Sequence, residues 1–218
     1  MPADYTEKAK VINDRTSRAD GYIYETVITP FQNVMNKALI KRVAGTDKTV
    51  LEIGCGVGSL ALMLADKCRY VVGVDFSSRQ IAFAEKRKAL KKYTNVEFIH
   101  ADASQLNKVV SQNFDFATMV MFLHEAEPEL REKVVREALL FAKQVMIADF
   151  VSPFPGNMAS VLFGTMEYMA GVRHHRNFRN WMMLGGIDGF IKGLDVTVNS
   201  EIEWKNRCGK VVMISHKS

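Results

Sequence analysis

The chain has 218 residues, a formal net charge of +5, 48% hydrophobic and 24% charged residues. That composition excludes a disordered chain, a collagen-like repeat and a disulfide-stapled miniprotein, and the length suffices for one α/β domain with a full core. No apolar run approaches the ~20 residues that span a bilayer. The N-terminus MPADYTEKAK lacks the apolar core of a signal peptide, and three scattered cysteines (Cys55, Cys68, Cys208) suit a reducing compartment, so a cytoplasmic location is expected.

The first 45 residues read as a helical cap. From Thr49 the pattern changes to short β-branched runs alternating with helical stretches. Thr49–Ile53 reads as a strand, followed by a glycine turn and a helix over Ser59–Lys67. Tyr70–Asp75 is the second strand. Ser77 with Gln80 fits a capping box that opens a helix running to Lys92. Val96–Ile99 is the third strand and Phe114–Phe122 the fourth; the fourth is apolar enough to be buried on both faces. Pro128 suits the first turn of a helix reaching Ala142, and Val145–Asp149 is the fifth strand. This alternation predicts a doubly wound α/β sheet, parallel through right-handed crossovers. After Phe150 the rhythm breaks. Residues 157–193 read as helices interrupted at Gly171-Val172 and Gly185-Gly186, and Val196–Val198 with Val211–Ile214 make a closing strand pair. The expected organisation is one domain: a cap over 1–45, a core over 46–150, a helical insertion over 151–193 and a β-hairpin over 194–218.

The chemistry is concentrated where the first strand meets its helix. In Glu52-Ile53-Gly54-Cys55-Gly56-Val57-Gly58-Ser59 three glycines alternate, letting the backbone turn tightly and a ligand approach the main chain. The following helix offers free N–H groups that can hold a carboxylate or phosphate. The spacing is G-x-G-x-G, not the G-x-G-x-x-G usual in dinucleotide enzymes. Asp75 ends the second strand seventeen residues after Gly58, where an acid can accept hydrogen bonds from both hydroxyls of a ribose. Asp102, after the third strand, can accept from an exocyclic amine. Taken singly, either acid is an ordinary turn residue; the ordered set describes a pocket for an amino-acid carboxylate, a ribose and an adenine.

With these residues the sequence resembles the class I S-adenosylmethionine-dependent methyltransferases, well over residues 45–150 and more weakly over the tail. The resemblance implies a Rossmann-like seven-stranded sheet with an antiparallel last strand. It also implies S-adenosylmethionine as methyl donor and S-adenosylhomocysteine as product. By resemblance, Glu52, Gly54, Cys55, Gly56 and Gly58 line the cofactor, Asp75 binds the ribose, Phe76 lies against the adenine, and Asp102 and Ala103 bind the ring. Cys55 is better read as a small residue than as a nucleophile. Tyr24, and Tyr22 near it, could reach the cofactor if the N-terminal segment folds over the pocket.

Methyl transfer from a sulfonium needs alignment and exclusion of water more than a fixed catalytic motif. His124, just after the fourth strand, suits a general base, with a loop histidine bonded only to nearby backbone as the plain alternative. His174 and His175, inside the insertion, are the second candidate set. No metal site is expected: Glu125, Glu127, Glu129 and Glu132 fall mostly where a helix start favours acids, and His124-Glu125 is not part of H-E-x-x-H. The insertion holds five methionines between Met158 and Met183, with Phe163, Tyr168, Phe178 and Trp181. It reads either as plain helical core or as the pocket for a small, partly apolar methyl acceptor.

The basic run 85–92 reads as a solvated helix face, while Arg173-His174-His175-Arg176 with Arg179 lies in a less regular stretch. Methylation of RNA or protein is the second reading, prompted by the charge. Nucleic acid is disfavoured as partner, because Phe122-Leu123-His124-Glu125 stands where base-amino methyltransferases carry an Asp/Asn-Pro-Pro-aromatic motif. A non-catalytic S-adenosylmethionine-binding protein and a dehydrogenase are further alternatives. Contact with a lipid-like substrate at a membrane surface stays open, as does the oligomeric state.

Overall fold

The computed structural model describes residues 36–37 and 39–217. The chain divides into two compact units, residues 1–114 and 115–218. The cap predicted for residues 1–45, including Tyr22 and Tyr24, lies almost wholly outside the described residues; its end is helical over 39–43, where Leu39 and Val43 are buried.

In the first unit the helical end leads into β1 (Gly45–Ile53), α1 (Ser59–Ala65), β2 (Cys68–Asp75), α2 (Ser78–Lys91), β3 (Val96–His100) and a 3₁₀ turn (Ala103–Lys108). β1 pairs parallel with β2 and β2 with β3, Ile53 lying beside Val74 and Asp75 beside His100. The apolar run that predicts β1 is buried from Thr49 to Ile53. Val71, Val72 and Val74 of β2 meet it, and Leu60, Ala61 and Leu64 of α1 are buried with Ile81 and Ala84 of α2. α2 begins as the capping box predicts: the Ser77 hydroxyl accepts the Gln80 N–H at 3.4 Å. It ends at Lys92, whose left-handed φ of 58° releases the chain toward β3.

The second unit contains β4 (Phe114–Val120, whose first residue closes the first unit), α3 (Pro128–Phe141), β5 (Ala142–Phe150), α4 (Met158–Met169), α5 (Val172–Met183), α6 (Gly186–Lys192), β6 (Val196–Glu203) and β7 (Gly209–His216). Pro128 stands at the start of α3, where its missing N–H costs nothing. The helix breaks fall at 170–171 and 184–185, within one residue of the interruptions predicted at Gly171-Val172 and Gly185-Gly186. β7 runs antiparallel to both β5 and β6. β6 is exposed along most of its length and carries Thr197, Asn199, Ser200, Glu201 and Glu203, the polar dress of an edge strand. The core holds Val145–Ala148 and Phe150 of β5, Val134, Val135 and Ala138 of α3, Val212 and Ile214 of β7, and Trp181 of α5. Arg131 is buried with them at 1% exposure. Its guanidinium donates to the carbonyls of Ala126 and Asn177 and to Asn180 Oδ1, and lies 5.2 Å from the Trp181 ring.

The strand order is β3-β2-β1-β4-β5-β7-β6, a seven-stranded mixed sheet whose last strand in sequence is antiparallel, as the sequence predicts.

Candidate active site

In the first unit, β1 runs directly into a turn in which Gly54, Gly56 and Gly58 all have left-handed φ, at 71°, 54° and 73°. At Gly56 a side chain would have to displace Gln80, and at Gly58 it has no space. A Cβ on Gly56 would lie 2.7 Å from Gln80 Oε1, and one on Gly58 would lie 2.5 Å from the Phe98 ring and 3.0 Å from Ala84 Cβ. The turn therefore sits tight against α2 and β3 with its backbone bare.

Asp75 ties this turn to β2. Its Oδ2 accepts the Gly56 N–H and its Oδ1 the Ser77 N–H, both at 2.8 Å. Each oxygen keeps a second lone pair. Burial raises the Asp75 carboxyl above its ordinary range, against the Ser77 and Gly56 amides and His100, which lower it. Glu52 lies deeper, 4% exposed, and its Oε2 has no hydrogen-bond partner. Burial raises its pKa well above the carboxylate range, offset in part by a backbone hydrogen bond from Ala61. Cys55 is buried, and burial with the charges of Asp75 and Glu52 holds its thiol protonated, which suits a small packing residue and not a nucleophile. Phe76 is fixed by its carbonyl, 2.9 Å from His100 Nε2. Asp102 caps the 3₁₀ turn, its carboxylate accepting the Ser104 N–H at 2.8 Å, with Ala103 as the turn's first residue.

One contributor here escapes the sequence reading. Arg87, in the run read as a solvated face, donates from Nη1 to the Val57 carbonyl and to Ser59 Oγ, both at 2.9 Å. It braces the glycine turn from behind. Its neighbours behave as expected: Lys88 pairs with Glu85 at 3.3 Å on the surface.

In the second unit, His124 is buried at 1% exposure in the loop after β4. Its Nδ1 lies 2.8 Å from Asp149 Oδ1, at the end of β5. A carboxylate only accepts, so Nδ1 carries the hydrogen. Asp149 in turn accepts the backbone N–H groups of Leu123 (3.0 Å), His124 (3.3 Å) and Phe150 (2.8 Å). The other ring nitrogen of His124 lies 3.6 Å from Glu167 Oε2 and 3.8 Å from Glu125 Oε1. Burial alone would pull the imidazole down, but the charge and hydrogen bond of Asp149, with Glu167 and Glu125, push it up to about 9. His124 is thus no isolated loop histidine.

His174 joins the same cluster. Its Nε2 is hydrogen-bonded to Glu167 Oε2 and its Nδ1 lies 3.9 Å from Glu125 Oε2. Burial lowers its pKa; Glu167 and Glu125 more than restore it, and the net shift is upward. His175 does not join: its ring stands edge-on to Tyr168 at 5.1 Å, and its buried Nδ1 has no partner. Around His124 stand Phe150 and Phe178, at ring-centroid distances of 5.0 and 6.2 Å, and Phe163 packs on Phe150 at 5.3 Å. Arg173 and Arg176 of the second basic run both pair with the buried Glu127, whose one carboxylate offsets one of their two charges. Phe163, Phe178 and Trp181 are buried, whereas Met158, Tyr168, Met169 and Met183 are exposed. A separate cavity of about 310 Å³, lined by Leu139, Leu140, Leu194 and His216 among others, contains none of these residues.

Glu167 and Asp149 are the members of this cluster that sequence reasoning misses. Glu167 carries a visible signal: it is the sole charged residue of the twelve in α4. Asp149 carries a weaker one, an acid next to the end of β5 after the apolar run 145–148.

A parallel βαβ sheet with a bare glycine turn and an acid ending the second strand defines a Rossmann-like ligand-binding fold. Residues 50–144 match the family model described as a methyltransferase domain. That match covers less than half of the chain and is a likeness to methyltransferase domains over the part it spans. The chain is 37% identical over 108 residues to the chloroplastic 2-phytyl-1,4-beta-naphthoquinone methyltransferase of Arabidopsis thaliana, covering 46% of this chain and 41% of that one. It is 26% identical over 100 residues to an uncharacterized RNA methyltransferase of Clostridium tetani, covering 46% and 21%. The chain thus spans less than half the length of these two curated relatives. Among solved structures it resembles the N-methyltransferase NodS of Bradyrhizobium japonicum in complex with S-adenosyl-L-homocysteine. The TM-score is 0.65 at 15% identity, over 93% of this chain and 95% of that one.

Proposed function

We propose that this chain is a methyltransferase that takes its methyl group from S-adenosylmethionine and passes it to a small, partly apolar acceptor. The observation that carries the reading is the Asp75 carboxylate: it holds the bare turn at Gly56 through one oxygen and the start of α2 at Ser77 through the other, with a lone pair left on each for a ribose hydroxyl.

The residues of the first unit fit such a ligand. The turn at Gly56 and Gly58 carries no side chain, so a ligand can approach its backbone, and the orphaned Glu52 Oε2 is a buried acceptor waiting for a donor. Glu52 and the turn 54–58 would hold the amino-acid end, Asp75 the ribose, and Phe76, Asp102 and Ala103 the adenine. The cofactor, when bound, supplies an electrophilic methyl group on a sulfonium. The protein's own work is then to align the acceptor and keep out water, worth about 7–11 kcal/mol when orientation is good. His124, held near a pKa of about 9 by the surrounding carboxylates, is the residue proposed to hold a proton near neutral pH and to accept one once deprotonated at higher pH, oriented by Asp149 with His174 beside it. The insertion 151–193, which brings Phe163 and Phe178 to the rings around His124, supplies the apolar side of the acceptor site.

A second reading, methylation of RNA, is favoured by the names of several relatives, including the Clostridium tetani protein. The engagement of Arg173 and Arg176 by Glu127 weighs against it, because it offsets one of the two charges a phosphate backbone would use there. The test is to incubate the protein with methyl-labelled S-adenosylmethionine and fractionated cell extract. Label should enter the low-molecular-weight, solvent-extractable fraction. Label in RNA or protein alone would transfer the assignment to a macromolecule, and no label in any fraction would leave a binding protein.

A further inference from the structure

We propose that His124, Glu167 and His174, completed by Glu125, bind a divalent metal ion of the zinc class. The site lies wholly within the second unit, and its donors come from three elements: the loop after β4, α4 and the first turn of α5. One donor atom each from His124, Glu167 and His174 lies within 4.8 Å of the others. His124 Nε2 stands 3.6 Å from Glu167 Oε2, which also faces His174 Nε2, and 3.8 Å from Glu125 Oε1; the second oxygen of Glu125 lies 3.9 Å from His174 Nδ1, the nitrogen that would not bind the ion. A tetrahedral ion with bonds of about 2.0–2.2 Å needs its ligand atoms roughly 3.3 Å apart, so small side-chain adjustments would close the shell.

Three further observations favour an ion over simple imidazole–carboxylate pairing. First, the ring nitrogen of His124 turned away from the cluster is held by Asp149 at 2.8 Å, and Asp149 is itself fixed by three backbone amides. That is the carboxylate–histidine arrangement that aims the other nitrogen at a metal and sets its tautomer. Second, among the described residues the ion-pair partners of Glu125 and Glu167 are His124 and His174, with no lysine or arginine among them. A divalent cation would answer two adjacent carboxylates beside which no lysine or arginine stands. Third, His124 and Glu167 are buried while the Glu125 side chain is half-exposed. Two of the donors are buried, His174 is partly covered, and Glu125 can yield to a ligand from solution, the pattern of an ion site with an exchangeable position. Two imidazoles and two carboxylates suit zinc, cobalt or manganese better than magnesium or calcium. With the ion bound, His124 Nε2 is a ligand and not a base, and the ion would instead hold an oxygen of the acceptor; that role rests on the proposed function, whereas the binding of the ion does not.

The full-length protein, stripped with a chelator and dialysed, is titrated calorimetrically with zinc, cobalt and manganese chlorides. S-adenosylhomocysteine is titrated separately into the same preparation. One zinc per chain is expected at micromolar affinity or better, with X-ray absorption showing nitrogen and oxygen neighbours including imidazole. Glu167→Gln and His174→Asn should each weaken zinc by at least tenfold, and Asp149→Asn by about 10- to 100-fold through loss of the orienting contact. Circular dichroism and unchanged S-adenosylhomocysteine binding verify that the variants are folded. Absence of zinc binding in the wild type, or zinc binding that all three variants retain, would overturn the metal site while leaving the methyl-donor reading intact. Stoichiometric zinc binding without S-adenosylhomocysteine binding would sustain the ion and defeat the proposed function.

Discussion

Replacing Asp75 separates the proposed ligand contact from the local fold. Its two oxygens accept the Gly56 and Ser77 amides at 2.8 Å, and each has one more acceptor position. In Asp75→Asn one oxygen becomes an amide donor facing a backbone donor. One of the two intramolecular bonds is lost, together with the charge and one of the two ribose contacts. Hydrogen bonds to a charged group contribute about 1.5–3 kcal/mol each. Affinity for S-adenosylmethionine should therefore fall by at least about 2 kcal/mol, roughly 30-fold in Kd. Asp75→Ala loses both contacts and should bind at least as poorly. It also leaves the Gly56 and Ser77 amides unpaired, partly offset by removing a carboxyl that burial already disfavours. Urea unfolding should thus register a net loss of about 1–2 kcal/mol for the alanine variant. Calorimetry with S-adenosylmethionine and S-adenosylhomocysteine, alongside urea unfolding, reads both quantities. If Asp75→Asn bound within twofold of wild type while remaining folded, the ribose assignment would be wrong.

Gly58→Ala forces a side chain into a position with φ of 73° whose Cβ would meet the Phe98 ring at 2.5 Å. Unfavourable backbone and overpacking together predict a loss of about 2–4 kcal/mol in urea-derived stability; a change below 0.5 kcal/mol would contradict the packing described. Arg87→Ala frees the Val57 carbonyl and Ser59 hydroxyl and should weaken S-adenosylmethionine five- to tenfold by loosening the turn, on the scale of about 1 kcal/mol for one or two bonds; unchanged affinity would make Arg87 a surface residue. Glu52→Gln should stabilise the ligand-free protein at pH 8 by about 1 kcal/mol or more, because a buried carboxylate with an unpartnered oxygen is costly when charged. The folded pKa is raised above the unfolded one, so the folded state binds more protons between the two. Wild-type stability relative to Glu52→Gln is then highest below the unfolded value near 4.3 and declines as pH rises through the folded one. A stability difference flat from pH 4 to 8 would refute the burial argument.

Much of the first unit was legible because its signals are local. The apolar run 50–53, the glycine turn and the Ser77–Gln80 cap each lie within a few residues, and each marks an element boundary correctly. The second unit was read less completely because its chemistry is assembled across the chain. His124 meets Asp149 across a separation of 25 residues, and Glu167 arrives on a helix whose apolar composition suggests only packing. Composition also blurred the insertion: Met158, Met169 and Met183 are 88%, 79% and 82% exposed, while the buried positions go to Phe163, Phe178 and Trp181. A methionine counts as apolar wherever it points, and helices of two or three turns have too few positions for periodicity to fix a buried face. Arg87 was misread for the converse reason. A basic run is a solvated face on average, yet one member can turn inward to two acceptors that the sequence places 30 and 28 residues away.

The most direct test is a crystal structure of the protein grown with S-adenosylhomocysteine. Density should place both ribose hydroxyls on the Asp75 carboxylate, the purine beside Asp102 and Ala103, and the amino-acid end at the turn 54–58. A nucleoside bound away from these three places, or clear empty density there at saturating ligand, would contradict the account at its root.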